Sequence, residues 1–314
     1  MIGNQTTKRR PSSGVKSGGS FRSISLRDTL AGYLFVAPLM IGLTVITIIP
    51  IISSFILSFT SWRLVTGLGG IEFIGFDNFI KLASDDTFIK SLINNIYLLL
   101  VIPATMAIAL CIAILIDRFV YFKSFFKVAY FMPFISSVVA VAIVFRVLFH
   151  PEQGPINQIL LSLGVANPPG WLGDTSFALI SIMIIQLYIQ IGFSLVLYLA
   201  GLKGIPKDLY EAADIDGANP WQKFRSITLP MLSSTSFFLI ITGLINSFKV
   251  FDLIAVLTEG GPGNATMVSI YYLYETAFIN LKMGYASSIS LILFIFILIF
   301  TLINWYGQKK WVHY

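Results

Sequence analysis

Polar side chains recur at helical spacing within a long apolar stretch near residue 246. Thr242, Asn246 and Lys249 stand at positions i, i+4 and i+7, so a helix would carry all three on one face. Asp252 follows Lys249 by three residues and is close enough to pair with it. Polar groups inside apolar helices are costly and therefore often functional. This row could bind a hydroxylated solute.

A second polar row lies in the preceding apolar stretch, where Gln186, Gln190 and Phe193 have the same spacing. Amides, hydroxyls and an aromatic face suit a sugar, which offers many hydroxyls and apolar C–H faces. A single lysine is too little for a phosphate ester, which favours a neutral sugar. Asn, Gln and Thr also hydrogen-bond between membrane helices, so helix packing remains an equal alternative for each residue.

Residues that commonly catalyse reactions are scarce in this chain. It has two histidines and one cysteine, His150, His313 and Cys111. A lone cysteine excludes a disulfide framework and a cysteine-based metal cluster. No G-x-x-x-x-G-K-[ST] phosphate-binding loop occurs. We therefore expect no catalytic site, no metal site and no cofactor in this chain, so that a partner must supply the energy for any work.

The composition is that of an integral membrane protein. Of the 314 residues, 56% are hydrophobic and 11% are charged, whereas soluble domains are about 25% charged. Stretches without charge reach or approach the roughly 20 residues that a membrane helix needs, and none alternates as a barrel strand does. The sequence predicts an all-α membrane protein with six transmembrane helices, in Thr29–Trp62, Ser91–Ile116, Val128–Phe145, Thr175–Leu202, Ser226–Phe248 and Met283–Gln308.

The basic residues predict the orientation. Six spans place both termini on one side, and fifteen Lys and Arg residues lie there: Lys8, Arg9, Arg10, Lys16, Arg22, Arg27, Arg118, Lys123, Lys127, Lys203, Lys207, Lys223, Arg225, Lys309 and Lys310. The other side has only Arg63, Lys81, Lys90 and Lys282. By the positive-inside rule both termini are cytoplasmic. The net charge of +6 thus reflects topology, and we expect no nucleic-acid partner.

The predicted organisation has three parts. Residues 1–28 are rich in Ser, Gly and basic residues and predict a disordered cytoplasmic tail. Residues 29–308 form the six-helix membrane domain, which includes a cytoplasmic loop at 203–230. Residues 309–314 form a cytoplasmic C-terminal tail.

The loop 203–230 predicts two short helices joined by a turn. Pro206 suits a first helical turn, because its missing N–H would be unpaired there anyway. Gly217 suits the left-handed residue that follows a helix end. Asn219 and Pro220 read as an N-cap and a first-turn proline for the second helix. Helices this short need a surface to dock on.

The same loop carries a family resemblance. The residues Glu211-Ala212-Ala213, Asp216-Gly217-Ala218 and Ile227-Thr228-Leu229-Pro230 resemble the EAA loop of membrane subunits of binding-protein-dependent ABC importers. Gly260-Gly261-Pro262 and the run from Tyr33 to Pro38 also match the sugar-importer branch, the maltose and glycerol-phosphate type permeases. A second proline, frequent after the loop in that family, is replaced here by Ser233 and Ser234.

The resemblance implies a type I ABC importer permease core in a bacterial cytoplasmic membrane. It implies that the chain forms half of a channel for a sugar, in that branch an oligosaccharide, together with a second homologous permease. The implied partners are two ATPase subunits, which bind ATP and Mg²⁺, and an extracellular or periplasmic sugar-binding protein. It also implies that the EAA residues dock on an ATPase and that Asn246 and Lys249 contact sugar.

Two other classes of protein remain as alternatives. A secondary transporter would need related halves or several intramembrane carboxylates, and Asp252 is the candidate carboxylate. A channel would need a filter motif, which is not evident. Without the resemblance, the loop could equally be an interfacial helix that holds two spans together.

Overall fold

The computed structural model describes residues 26–309, and these residues are predominantly helical. The helices are α1 (Leu26–Leu43), α2 (Ile49–Leu57), α3 (Asp77–Ala83), α4 (Asp86–Leu99), α5 (Val101–Phe119), α6 (Lys123–Ile135), α7 (Val138–Leu148), α8 (Pro155–Ser162), α9 (Ala178–Gly204), α10 (Lys207–Ile215), α11 (Pro220–Lys223), α12 (Leu229–Met231), α13 (Ser233–Phe248), α14 (Asp252–Leu257), α15 (Ser269–Tyr274) and α16 (Met283–Gln308). Short 3₁₀ turns occupy Leu64–Thr66 and Leu68–Gly70, and π turns occupy Thr44–Ile48, Phe224–Thr228 and Glu275–Ile279.

The chain divides into two compact units at Ile51 and Ile52. The first unit contains α1, the π turn at Thr44–Ile48 and the start of α2. Pro50 has no N–H to donate to the carbonyl of Ile46, which accounts for the shift from α to π hydrogen bonding there. The predicted tail at 1–28 lies outside the described residues except for Leu26, Arg27 and Asp28, which already belong to α1.

The second unit is built around α9, which packs against α5 and α6. Apolar side chains on α5 and α9 form a buried cluster that includes Ala109, Ala113, Leu195 and Tyr198. At Gly192 a Cβ would lie 2.1 Å from the carbonyl oxygen of Tyr130. Only glycine permits the backbones of α9 and α6 to approach so closely.

Two of the predicted spans are broken rather than continuous. The stretch Val128–Phe145 falls across α6 and α7, which are bent by 96°. At the break, Ser136 is extended and its hydroxyl donates to the carbonyl of Met132, which competes with the helical ladder. The stretch Ser226–Phe248 likewise crosses a bend of 61° between α12 and α13. The third and fifth predicted spans are therefore bent helix pairs, and each counts as one span only if the pair crosses together.

Four helical segments have the length and composition to cross a membrane, namely Thr29–Leu57, Asp86–Phe119, Ala178–Gly204 and Met283–Gln308. The segment Asp86–Phe119 joins α4 and α5 into 34 residues. Counting each bent pair as one span raises the number to six. The described residues therefore support between four and six spans, and the chain is a multi-pass membrane protein.

Candidate solute cavity and coupling loop

The loop 203–230 folds as two short helices around a left-handed corner. Pro206 is the N-cap of α10, and Gly217, beyond its C-terminus, has φ +73°. Asn219 caps α11 through a capping box. Its side-chain oxygen accepts from the backbone N–H of Gln222, and the side-chain oxygen of Gln222 accepts from the backbone N–H of Asn219. These details match the helix–turn–helix prediction, because caps and left-handed glycines are specified locally.

The two helices are held together by side chains. The Tyr210 hydroxyl and the Thr228 hydroxyl lie 2.8 Å apart and hydrogen-bond α10 to the π turn that follows α11. Asp214 on α10 forms an ion pair with Lys223 on α11. The loop is therefore a folded unit whose outer surface is fixed in shape.

The predicted coupling residues lie on and around this unit. Glu211, Ala212, Asp216 and Gly217 are exposed, whereas Ala213 and Ala218 are half-buried. Two other side chains, Ile215 and Trp221, were not among the predicted coupling residues, yet 87% and 65% of them are accessible. Their signal was present as large apolar residues in a charged segment, and they give the loop an apolar surface on which a partner can dock.

A cavity of about 520 Å³ lies beneath the loop. Its lining joins the C-terminal ends of α5 and α9 to the loop, through Asp117, Arg118, Lys203, Tyr210 and Phe224. The ends of these two long helices therefore meet the loop at this cavity.

A second, smaller cavity gathers most of the predicted solute residues. It measures about 150 Å³, and its polar lining consists of Gln186, Gln190, Asn246, Lys249 and Asp252. The cavity lies where α9 passes the C-terminal end of α13. The fold thus brings residues of both polar rows to one cavity, although the rows are far apart in the sequence.

Lys249 and Asp252 differ from their predicted arrangement. Helix α13 ends at Phe248, so Lys249 is its C-cap and not a member of the helical face of Thr242 and Asn246. Within residues 26–309, Lys249 and Asp252 form no ion pair within 4.0 Å. Both side chains are exposed at the mouth of the cavity.

Phe193 and Thr242 do not line the cavity. The Phe193 ring stacks on Phe134 of α6, with centroids 4.9 Å apart. The Thr242 hydroxyl donates to the carbonyl of Phe238 at 2.8 Å, within its own helix. Their contacts in this chain are those of helix packing.

Gln186 is the most unusual member of the cavity. Only 3% of the residue is exposed, yet neither amide atom has a hydrogen-bond partner among the described residues. A buried amide without partners costs about 1–3 kcal/mol. The cavity lining thus includes an amide whose donor and acceptor are not satisfied by any described residue.

Within residues 26–309, no three His, Cys, Asp or Glu side chains come together as a metal site would require. The chemistry available at the cavity is hydrogen bonding by amides, together with one positive and one negative charge at its mouth.

Residues 118–310 match the family described as the binding-protein-dependent transport system inner membrane component. The match covers more than half of the chain, and the chain belongs to this family of transport permeases.

Individual relatives extend the similarity over almost the whole chain. A probable ABC transporter permease, YesP of Bacillus subtilis (strain 168), is 35% identical over 299 residues, which are 93% of this chain and 95% of the relative. The arabinooligosaccharides transport system permease AraP of the same organism is 34% identical over 301 residues, or 94% of this chain and 93% of the relative. The lactose permease LacF of Rhizobium radiobacter is 32% identical, over 89% of this chain and 94% of its own.

The fold also matches a solved structure. A chain from a bacterial ABC transporter involved in the import of the acidic polysaccharide alginate superposes with a TM-score of 0.78, over 90% of this chain and 96% of that chain, at 23% identity. The all-helical permease fold expected from the sequence is thereby confirmed.

Proposed function

We propose that this chain is one of two permease subunits of an ATP-driven importer and that its 150 Å³ cavity contacts a neutral oligosaccharide during passage. The observation that carries the proposal is the convergence of Gln186, Gln190 and Asn246 on this cavity. Amide groups both donate and accept hydrogen bonds, as the hydroxyls of a sugar do. The unpartnered, buried Gln186 amide would gain those bonds when the sugar arrives.

The relatives support a sugar as the solute. AraP and LacF are named for arabinooligosaccharides and lactose, whereas another relative at 32% identity, UgpA of Agrobacterium fabrum, is named for sn-glycerol-3-phosphate. Lys249 and Asp252 carry opposite charges at the mouth of the cavity. Because these charges cancel, the cavity suits a neutral solute better than a phosphate ester.

The EAA loop supports energy transfer from an ATPase. Its exposed surface combines the carboxylates of Glu211 and Asp216 with the apolar side chains of Ile215 and Trp221. We infer that this surface docks in a cleft of an ATPase subunit, and that Glu211 meets a basic group there. The complete transporter would contain a second permease, two ATPases that bind ATP and Mg²⁺, and an extracellular binding protein, with six spans in this chain and both termini in the cytoplasm.

Two variants of the cavity test the solute contact. Gln186→Leu and Asn246→Leu remove the amides and should each reduce sugar uptake at least tenfold, since a buried sugar hydroxyl then loses its partner. The matched control is Asn304→Leu in α16, whose amide donates to the carbonyl of Phe300 in its own helix. Uptake of labelled oligosaccharides by cells, with the complex quantified by pull-down, is the measurement. Unchanged uptake in both cavity variants would show that these residues serve helix packing and do not contact the sugar.

The source of energy separates this proposal from a secondary transporter or a channel. Uptake should stop when ATP is depleted and persist when a protonophore collapses the proton gradient. A tagged chain, solubilised under mild conditions, should recover the second permease, the ATPases and the binding protein, which mass spectrometry identifies. Uptake that follows the proton gradient and ignores ATP would replace the importer with a secondary transporter.

A further inference from the structure

A cationic cavity lies at the other end of the second unit from the EAA loop. It measures about 370 Å³ and is lined by Arg63, Lys81 and Lys282, together with Asp85, Tyr272 and Tyr285. Asp85 directly precedes α4, and Lys282 directly precedes α16. The helical segment Asp86–Phe119, formed by α4 and α5, runs from this cavity to the cavity beneath the loop, where Asp117 and Arg118 lie.

The positive-inside rule does not account for the basic residues of this cavity. Lys and Arg are sparse on the outer side of a membrane protein, and the predicted outer segments contain four in all. Three of these four, from separate parts of the chain, line one cavity. All three are exposed, and within residues 26–309 none forms an ion pair within 4.0 Å.

Asp85 offsets one of the three positive charges in this cavity, and both of its oxygens are already hydrogen-bonded. Its Oδ2 accepts hydrogen bonds from the hydroxyls of Tyr272 at 2.6 Å and Tyr285 at 2.7 Å. Its Oδ1 accepts from the backbone N–H of Phe88 at 3.1 Å. The carboxylate is therefore occupied in joining α4 to α15 and α16, and the cavity keeps an excess of positive charge.

The lining indicates the kind of anion that fits. Beside the charged groups, the lining also contains the polar Ser61 and Asn78 and the apolar Trp62 and Ile74. The cavity also shares no residue with the 150 Å³ cavity, so the solute path does not need it. Three cations against one carboxylate favour an anionic partner, and a docking protein presents carboxylates as Asp and Glu side chains.

We propose that Arg63, Lys81 and Lys282 form a receptor site for acidic side chains of the extracellular binding protein. This inference rests on the proposed function, which supplies a binding protein that must recognise this face. Charge complementarity of this kind raises the rate of encounter and fixes the register of docking. It also makes docking sensitive to ionic strength, because salt screens exposed charges.

The test uses the whole transporter in nanodiscs of phosphatidylcholine and the binding protein recovered with the tagged chain. ATP hydrolysis is titrated with that protein, loaded with solute, at low and high salt. In the triple variant R63Q/K81Q/K282Q the half-maximal concentration should rise about tenfold at low salt. Its dependence on salt should fall, while the maximal rate at saturation stays unchanged. Lys90→Gln is the matched control, since it removes the fourth basic residue of the predicted outer segments, which lies outside the cavity lining.

The outcomes separate this inference from the proposed function. If the wild-type complex hydrolyses ATP without any response to the binding protein, the proposed function fails and the inference fails with it. If stimulation persists and the triple variant keeps the wild-type half-maximal concentration, only the inference fails. A defect of the triple variant that appears only in nanodiscs containing phosphatidylglycerol would identify a lipid phosphate as the occupant and overturn the inference.

Discussion

Asp85 illustrates how neighbouring side chains determine the charge of one residue. Burial alone would raise the pKa of its carboxyl group, but hydrogen bonds from Tyr272 and Tyr285 and from backbone amides outweigh burial and hold the pKa below its ordinary value. The same contact and burial raise the pKa of Tyr272, which therefore stays a donor. At neutral pH the carboxylate thus accepts from both tyrosines and joins three helices.

We predict that Asp85→Asn lowers the free energy of unfolding by about 1–3 kcal/mol at pH 7. Asn still caps α4, but its NH₂ group cannot accept from a tyrosine hydroxyl, so one buried bond is lost. A lowered folded-state pKa gives stability that is complete above the unfolded pKa of about 3.9 and is lost as pH falls through the folded value.

The deficit of Asp85→Asn should therefore be constant from pH 7 to pH 5 and shrink below pH 4 or so. Thermal unfolding in detergent, followed by tryptophan fluorescence, measures it. The exposed neighbour Asp86 gives the control variant Asp86→Asn. A deficit that stayed the same at low pH would show that the tyrosine bonds do not depend on the charge.

At the scale of elements, the geometry of the corner between α10 and α11 depends on one residue. Gly217 has φ +73°, and a Cβ added there would have no atom within 4 Å. A side chain therefore meets no steric contact, and its cost of about 1–2 kcal/mol comes from the left-handed backbone alone. Relief of that strain would change the direction of α11 relative to α10.

We predict that Gly217→Val reduces recovery of the ATPases with the tagged chain and cuts uptake at least tenfold, because the docking surface loses its shape. Glu211→Lys should cause a smaller loss, through one contact. The control is Gly204→Val, a nearby glycine with ordinary backbone geometry and no atom within 4 Å of an added Cβ. Full ATPase recovery and full uptake in Gly217→Val would assign the loop to holding the spans together.

The elements also show what the sequence can predict. The caps at Asn219 and Gly217 depend on residues within one turn, and they were predicted together with the order of the helices. The break at Ser136 was not predicted, because two adjacent serines in an apolar stretch are also compatible with a straight helix. Whether the chain bends there depends on packing against the rest of the fold. The cluster of Arg63, Lys81 and Lys282 joins positions more than 200 residues apart in the chain, and no local pattern reports such a distance.

For the whole molecule, the orientation in the membrane determines which face each proposed partner can reach. The positive-inside bias predicts that the EAA loop lies in the cytoplasm and that the outer segments at 63–90 and 150–174 lie on the opposite face. The bent pairs α6–α7 and α12–α13 leave the number of crossings between four and six, and an orientation experiment counts them.

We predict that Ser84→Cys and Ser162→Cys react with a membrane-impermeant maleimide in intact cells, and that Ser226→Cys reacts only after the cells are opened. All three serines are exposed. The background is Cys111→Ala, since the natural cysteine is also exposed. Reaction of the cysteine at position 226 in intact cells would contradict the orientation, and failure at 162 alone would mean that α6–α7 does not cross.

The 34 residues of Asp86–Phe119 make a rod about 51 Å long at 1.5 Å per residue, well beyond the roughly 30 Å of a hydrocarbon core. One tip lies beside the cationic cavity, and the other lies above the EAA loop. If the segment moved as a rigid rod, a swing of about 10° around one tip would carry the other through about 9 Å, given that length. A contact made on one face would then produce a displacement on the opposite face.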